Sequence, residues 1–192
     1  MRILSTIKTD RLVLKANGLE YLDSTHEYAS DPENTKYMIN LPNETKEETA
    51  QYLKDVEEEW NNPNQLYYEY AIFLEGKHIG SAGLRLEESR KKGSIGWILG
   101  KDYHGKGYAT EAAKALRNLA LSPDGLNLDM LIAHCDYRNT QSIRVMEKLS
   151  MELESDDGIR EYKDSEDDIQ ELVYSIRKQL ISSESGIPGV PG

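Results

Sequence analysis

The chain has 192 residues, 30% of them charged and 38% hydrophobic, which suits one domain with one buried core and holds no stretch near the ~20 apolar residues of a membrane span. A formal net charge of −11 repels nucleic acid and anionic membrane and favours cationic partners, although the same charge also serves as a plain solubility device. Cys135 is the single cysteine, which excludes intramolecular disulfides and Cys-based zinc clusters and makes a reducing, cytoplasmic compartment the expectation.

The opening MRILSTIKTDRLVLK alternates and carries charges, unlike a signal peptide. Within it, Arg11 to Lys15 predicts a first strand. Gly18 to Ala29 predicts a helix stopped by Asp31-Pro32. Thr45 and Glu48 form a T-x-x-E capping box, and Thr49, Leu53, Val56 and Trp60 follow at helical spacing. Tyr68 to Leu74 and His78 to Leu86 predict a hairpin through Glu75-Gly76-Lys77, and Ser94 to Leu99 a third strand of the meander.

The second half changes character. Ala109, Ala112, Ala113, Leu116, Leu119 and Ala120 mark one face of a helix that begins near Tyr108. Met130 to Cys135 predicts a strand, Asn139 starts a helix with Ile143, Met146 and Leu149 inward, and Ile169 to Ile176 predicts a last strand. Strand-helix-strand order after residue 94 asks for parallel neighbours and crossover helices. The fold class is therefore α/β, a mixed sheet with helices packed on it. Ser182 to Gly192 has little to bury, so the domain is expected to span residues 1–180 and to leave 181–192 as a flexible tail.

Trp97 to Ala112 carries the most chemistry: a strand feeds a glycine-rich turn, and the turn opens a helix. Gly105 and Gly107 let backbone amides approach an anion, and the helix N-terminus adds unpaired N–H groups and a positive dipole end. That combination is a phosphate cradle. Gly100 to Lys106 reads G-x-x-x-x-G-K, but Gly107 stands where a nucleotide P-loop needs Ser or Thr for magnesium. The dinucleotide fingerprint G-x-G-x-x-G also fails, since Tyr108, Ala109 and Thr110 follow Gly107.

The loop HGKGYA resembles the Q/R-x-x-G-x-G/A pyrophosphate loop of the GNAT N-acetyltransferases, with His104 at the Q/R position, Gly107 at the glycine and Ala109 at the final small residue. Asn139 to Met151 resembles their N-x-x-S-x-x-x-x-E-K-x-G-F segment, with Ser150 and Met151 in place of Gly-Phe. TDRLVLK resembles the T-x-R-L-x-L-R opening of the Rim-type branch, the ribosomal-protein-alanine N-acetyltransferases and relatives. The resemblance runs over residues 8–178. It implies a mixed, mostly antiparallel sheet in which two parallel strands, Ser94–Leu99 and Met130–Cys135, splay apart around the pantetheine arm of acetyl-CoA. It also implies that backbone groups of Ile98 and Leu99 pair with that arm. His104 and the amides of Gly105, Lys106, Gly107, Tyr108, Ala109 and Thr110 would hold the pyrophosphate, and Asn139 would contact the arm. Asn139 is also a natural helix N-cap.

The implied activity is transfer of the acetyl group of acetyl-CoA to a primary amine, a protein N-terminus or a small molecule, by direct attack in a ternary complex. Alignment alone contributes ~7–11 kcal/mol to such a reaction. Ser142, the serine of N-x-x-S, is the candidate to protonate the leaving thiolate, or else a helix-surface serine bonded to backbone. Glu161, in I-R-E-Y, is the candidate general base if it is buried; its neighbourhood is crowded with solvated acids (Glu152, Glu154, Asp156, Asp157). Tyr103 and Tyr174 are further polar candidates, with packing at the core edge as the alternative. Cys135, inside an apolar strand, reads as an inert small hydrophobe. His26, His78, His104 and His134 are scattered, so no metal is expected. The chain is expected to be a monomer or homodimer, with acceptor specificity in the first helices and around Tyr67 to Tyr70. A catalytically silent acyl-CoA-binding module and a purely structural interaction domain are the alternatives from other functional classes.

Overall fold

The computed structural model describes residues 5–162 and 168–178; the boundary expected at residue 180 and the tail after it lie outside them. A short strand that the sequence pattern did not announce, β1 (Thr6–Lys8), pairs antiparallel with β2 (Leu12–Ala16). A 3-10 turn at Leu19–Tyr21 leads into α1 (Leu22–Ala29). Asp31-Pro32 does not simply stop a helix but starts one, α2 (Pro32–Thr35). The Asp31 carboxylate accepts from the Glu33 and Asn34 amides, and proline's fixed φ suits the first helical position. In α3 (Lys46–Asn61) the Thr45 hydroxyl accepts from the Glu48 amide at 3.2 Å, while Glu48 reaches back to the Glu44 amide at 2.8 Å.

The meander follows as β3 (Tyr67–Leu74), β4 (Lys77–Leu86) and β5 (Lys92–Leu99). Glu75 and Gly76, both at positive φ, turn the β3–β4 hairpin. Then come α4 (Tyr108–Leu121), β6 (Met130–Asp136), α5 (Thr140–Lys148), β7 (Glu152–Arg160) and β8 (Ile169–Arg177). The eight strands form one sheet in the order β1-β2-β3-β4-β5-β6-β8-β7, antiparallel at every junction except β5–β6. The acids after Met151, expected as solvated surface, belong to β7. That strand lies at the sheet edge, where charged side chains discourage further strand pairing.

The two faces differ. On one, α4 buries Ala112, Ala113, Leu116 and Ala120 against Leu12, Leu14, Ile72, Leu84 and Leu131, with Met146 and Leu149 beside them. On the other, α1 packs on β4 and α3 on β3, and the layer between helix and sheet is partly polar: Thr25, Thr49, Glu69 and Ser81 are buried there.

His78, at the start of β4, joins these layers. Its Nε2–H donates to the Gly80 carbonyl at 2.9 Å, its Nδ1 lies 2.7 Å from the Ser24 hydroxyl of α1, and its ring stacks on Phe73. Burial lowers its pKa to about 4. The unfolded chain gains the proton near pH 6.5 while the native state refuses it until about pH 4, so this contribution is present above pH 6.5 and fades as the pH falls to 4. Urea unfolding at pH 7.5 and 4.5 should therefore show wild type losing part of its advantage over His78→Gln, by at most about 3 kcal/mol.

Candidate active site

The β5–β6 ladder pairs Lys92 with Met130, Gly93 with Leu131 and Ser94 with Ile132, and there it stops. Both strands continue, held on their outer sides: β4 follows β5 as far as Leu99, and β8 follows β6 as far as Asp136. Each strand stays bound to its outer neighbour, so the inner edges part and leave backbone groups facing a cleft of about 720 Å³.

The loop after β5 closes one end of that cleft. It runs through Gly100, a 3-10 turn at Lys101–Tyr103 and Gly105 to Gly107, the N-cap of α4. Gly105 and Gly107 take φ of 73° and 82°, a region that costs a residue with a Cβ, and no side chain caps α4. The first turn of α4 therefore opens onto the cleft. Of the residues singled out from sequence, Ile98, Leu99, His104, Gly105, Gly107, Tyr108, Ala109, Thr110, Asn139 and Ser142 all line it, as does Tyr103.

Several of these have partners that sequence alone did not supply. His104 donates from Nε2 to the Leu99 carbonyl at 2.9 Å, so the loop is pinned to the end of β5. Lys106 turns its ammonium to the Asp102 carbonyl at 2.8 Å. Asn139 caps α5, its Oδ1 accepting from the Ser142 amide at 3.1 Å. Glu161 is exposed and borders a second hollow of about 510 Å³ with Ile39, Asn40, Asn43, Glu48 and Tyr162. Residues 37–40 stand between the two spaces, with Tyr37 and Met38 on the cleft and Ile39 and Asn40 on the hollow. Tyr174 belongs to the core, and burial raises its phenol. Cys135 is buried, and burial pushes its thiol up to about 11, which leaves no thiolate to carry an acyl group at neutral pH.

Residues 11–152 match the family model of the acetyltransferase (GNAT) domain. The chain belongs to the GNAT acetyltransferases. It is 28% identical over 152 residues to the uncharacterized N-acetyltransferase p20 of Bacillus licheniformis, covering 79% of this chain and 84% of p20. Among solved structures it resembles a GNAT-family acetyltransferase from Bacillus anthracis, with a TM-score of 0.77 at 27% identity over 91% of this chain and 99% of that one. It also shares the fold of RimL, the ribosomal L7/L12 alpha-N-protein acetyltransferase solved with coenzyme A, with a TM-score of 0.78 at 18% identity over 90% of this chain and 97% of RimL.

Two features of this GNAT site come from distant parts of the chain. Glu111, in the first turn of α4, accepts from the Thr9 hydroxyl at 2.6 Å, the Arg11 amide at 2.8 Å and Arg11 Nε at 2.6 Å. Arg11 also donates to the Lys106 carbonyl at 3.1 Å and lies over the Tyr108 ring. Burial alone would raise the Glu111 carboxyl, but the bonds from Thr9 and Arg11 outweigh it and hold it below its ordinary value. The second feature is charge. Lys36, Lys101, Arg138, Arg144 and Lys148 line the cleft of a chain that is acidic overall. Arg138 is aimed by Asp136, a fully buried carboxylate that accepts from Arg138 Nη2 and the Tyr162 hydroxyl, each at 2.6 Å. The T-x-R-L and A-T-E-A strings contained Thr9, Arg11 and Glu111, but nothing local in the sequence joins positions a hundred residues apart.

Glu111→Ala should free the glycine loop from the β1–β2 turn and strand three donors. We expect a loss of about 2 kcal/mol in urea unfolding and roughly tenfold weaker binding of coenzyme A in calorimetry.

Proposed function

We propose that this GNAT enzyme transfers the acetyl group of acetyl-CoA to a primary amine, of a protein N-terminus or a small molecule, by direct attack within a ternary complex. The observation that carries the reading is the junction of two features: an uncapped, glycine-opened helix N-terminus and the wedge between β5 and β6. Oriented amides and a positive dipole end suit a pyrophosphate. Free strand edges suit the two amides of a pantetheine arm, which pair as a short strand does. The five cationic side chains along the cleft suit the remaining phosphate charge.

Acetyl-CoA supplies an activated thioester carbonyl when bound. The residues of this chain orient, exclude water and move protons. The backbone of Leu99, on the parted edge of β5, fixes the depth of the arm, while that of Ile98 turns to β4, and the amides from Gly105 to Thr110 fix the phosphate end; together they hold the carbonyl against the incoming nitrogen. A carbon–nitrogen bond forms as the carbon–sulfur bond breaks. The amine must shed a proton, and the departing thiolate must gain one. Ser142, in the first turn of α5 on the cleft wall, is the proton donor to sulfur. Glu161, on the far side of residues 37–40, comes within reach only of an acceptor that extends past that segment, as a peptide does.

Turnover of acetyl-CoA with alanyl and seryl tripeptides, putrescine and kanamycin tests the reading directly; coenzyme A binding without turnover on any of them would indicate a silent acyl-CoA module. Gly107→Glu places a strained residue and a carboxylate in the phosphate cradle, 3.4 Å from Arg11 Nη2 at its Cβ. Coenzyme A affinity should fall at least ~100-fold, about 2.7 kcal/mol, while the melting temperature shows the protein still folded. Ser142→Ala should lower kcat by ~10²-fold or more with acetyl-CoA affinity unchanged, the mark of an interaction made only in the transition state.

A further inference from the structure

The sheet register sets Glu69 of β3 opposite Gly83 of β4, and Gly83 opposite Gly96 of β5, so the three positions share the face that carries α1 and α3. The two glycines differ in what they make room for. A Cβ on Gly83 would lie 2.0 Å from Glu69 Oε2 and 3.3 Å from the Tyr67 ring, so the carboxylate and the phenol already fill that place. A Cβ on Gly96 would meet nothing within 4 Å, and Gly96 is exposed in mid-strand with no positive φ. Neither packing nor torsion asks for glycine there, and glycine within a strand weakens it. What remains is close approach by something outside the chain. The position suits that: Gly96 lies two residues after Ser94, where β5 and β6 part, and two before Ile98, which lines the cleft on the same face.

Beside this open floor stands a buried carboxyl group. Glu69 is only 5% exposed, and its near partners are hydroxyls rather than a cation. Tyr67 donates to Oε2 at 2.7 Å, the Tyr52 hydroxyl lies 3.1 Å from that of Tyr67, and the Ser81 hydroxyl of β4 stands close to the carboxylate. The remaining charged and titratable groups that face it are Arg85, whose guanidinium lies 4.3 Å over the Tyr67 ring, and Tyr28 of α1. A buried carboxylate without a close cation is costly and acts as a receptor for one.

We propose that the trough floored by Gly96 seats the acceptor as a primary ammonium, and that Glu69, two strands over but with its carboxylate above Gly83 and so about one strand spacing (~4.8 Å) from Gly96, takes its proton through one bridging water. The proposal rests on the acetyl-transfer reading and names the class of acceptor and the base. The step balances: ammonium and carboxylate become neutral amine and carboxylic acid, the nitrogen lone pair is freed to attack the thioester carbonyl, and the acid later returns its proton to solvent. Burial raises the Glu69 carboxyl above its ordinary value, against the bonds from Ser81, Tyr67 and Tyr52 and the charge of Arg85, which narrows the gap to the amine. Tyr67 and Tyr52 are positioning residues that hold the carboxylate over Gly83.

Two variants test this in the full chain. Glu69→Gln keeps the hydroxyl partners and removes the charge; Gly96→Val fills the trough at a site where no atom is in the way. With the best substrate among the tripeptides, putrescine and kanamycin, Glu69→Gln should lower acceptor kcat/KM ~100-fold and abolish the acid limb of its pH profile. Gly96→Val should raise acceptor KM at least tenfold. In both, the KM for acetyl-CoA should stay as in wild type. Either variant keeping acceptor kcat/KM within about twofold of wild type overturns the proposal. Calorimetric titration of putrescine into the coenzyme A complex separates it from the reading it rests on. Binding by wild type that both variants lose, with no turnover of any amine, keeps the ammonium seat and overturns acetyl transfer. No binding and no turnover by wild type, or equal putrescine binding by the variants, overturns the seat.

Discussion

Past Ser94 and Ile132 the two central strands no longer share hydrogen bonds, and the rest of the site is built around that parting. A sheet cannot open in its middle unless each half is secured elsewhere. Here β5 is held to β4 along its whole length, and β6 is held to β8 from Met130 to Asp136. The helices secure the parting from below: α4 rests on β2, β4, β5 and β6 at once, so the apolar layer under the sheet continues across the gap. The backbone groups left at the inner edges stay satisfied only if water or a strand-like ligand reaches them, which suits the opening to such a ligand.

The glycine loop gains its position from outside itself. Gly105 and Gly107 make the turn possible but do not fix its place, since glycines leave the chain more freedom than other residues. Glu111 supplies the fixation by gathering Thr9 and Arg11 onto the first turn of α4, and Arg11 continues to the Lys106 carbonyl. A second tie runs from Lys101 to Asp31, the residue that caps α2, at 2.7 Å. The loop is thus fastened to the β1–β2 turn on one side and to the α1–α2 connection on the other, which places the segment before Tyr37 and Met38 beside it.

Polarity is distributed by face. The face under α4 is largely apolar, whereas the face under α1 and α3 holds Glu69, Ser81, Thr25, Thr49 and the Tyr52–Tyr67 hydroxyl pair. Buried polar groups of this kind weaken a core that could have been apolar. Their concentration beside the open floor at Gly96 fits a surface that handles a charged acceptor, while the opposite face supplies the stability.

The sequence by itself determined the local elements and the glycine loop that opens α4. Helical spacing, the Thr45 cap, the hairpin turn and the Gly105–Gly107 loop are written in neighbouring residues, and nearest-neighbour sterics and hydrogen bonding decide them. Where the pattern misled, a competing local force was at work. Asp31-Pro32 began a helix because an aspartate caps as readily as a proline interrupts, and β7 was hidden because an edge strand tolerates the acids that usually mark a loop. Tertiary structure alone decided the rest: that β5 and β6 part after Ser94, that Glu111 meets Arg11, that Glu161 borders another hollow, and that Glu69, Gly83 and Gly96 fall in one line. The physical reason is that cross-strand register and burial arise from contacts between distant segments, and a carboxylate on the page of a sequence reads the same whether water or a tyrosine will stand beside it.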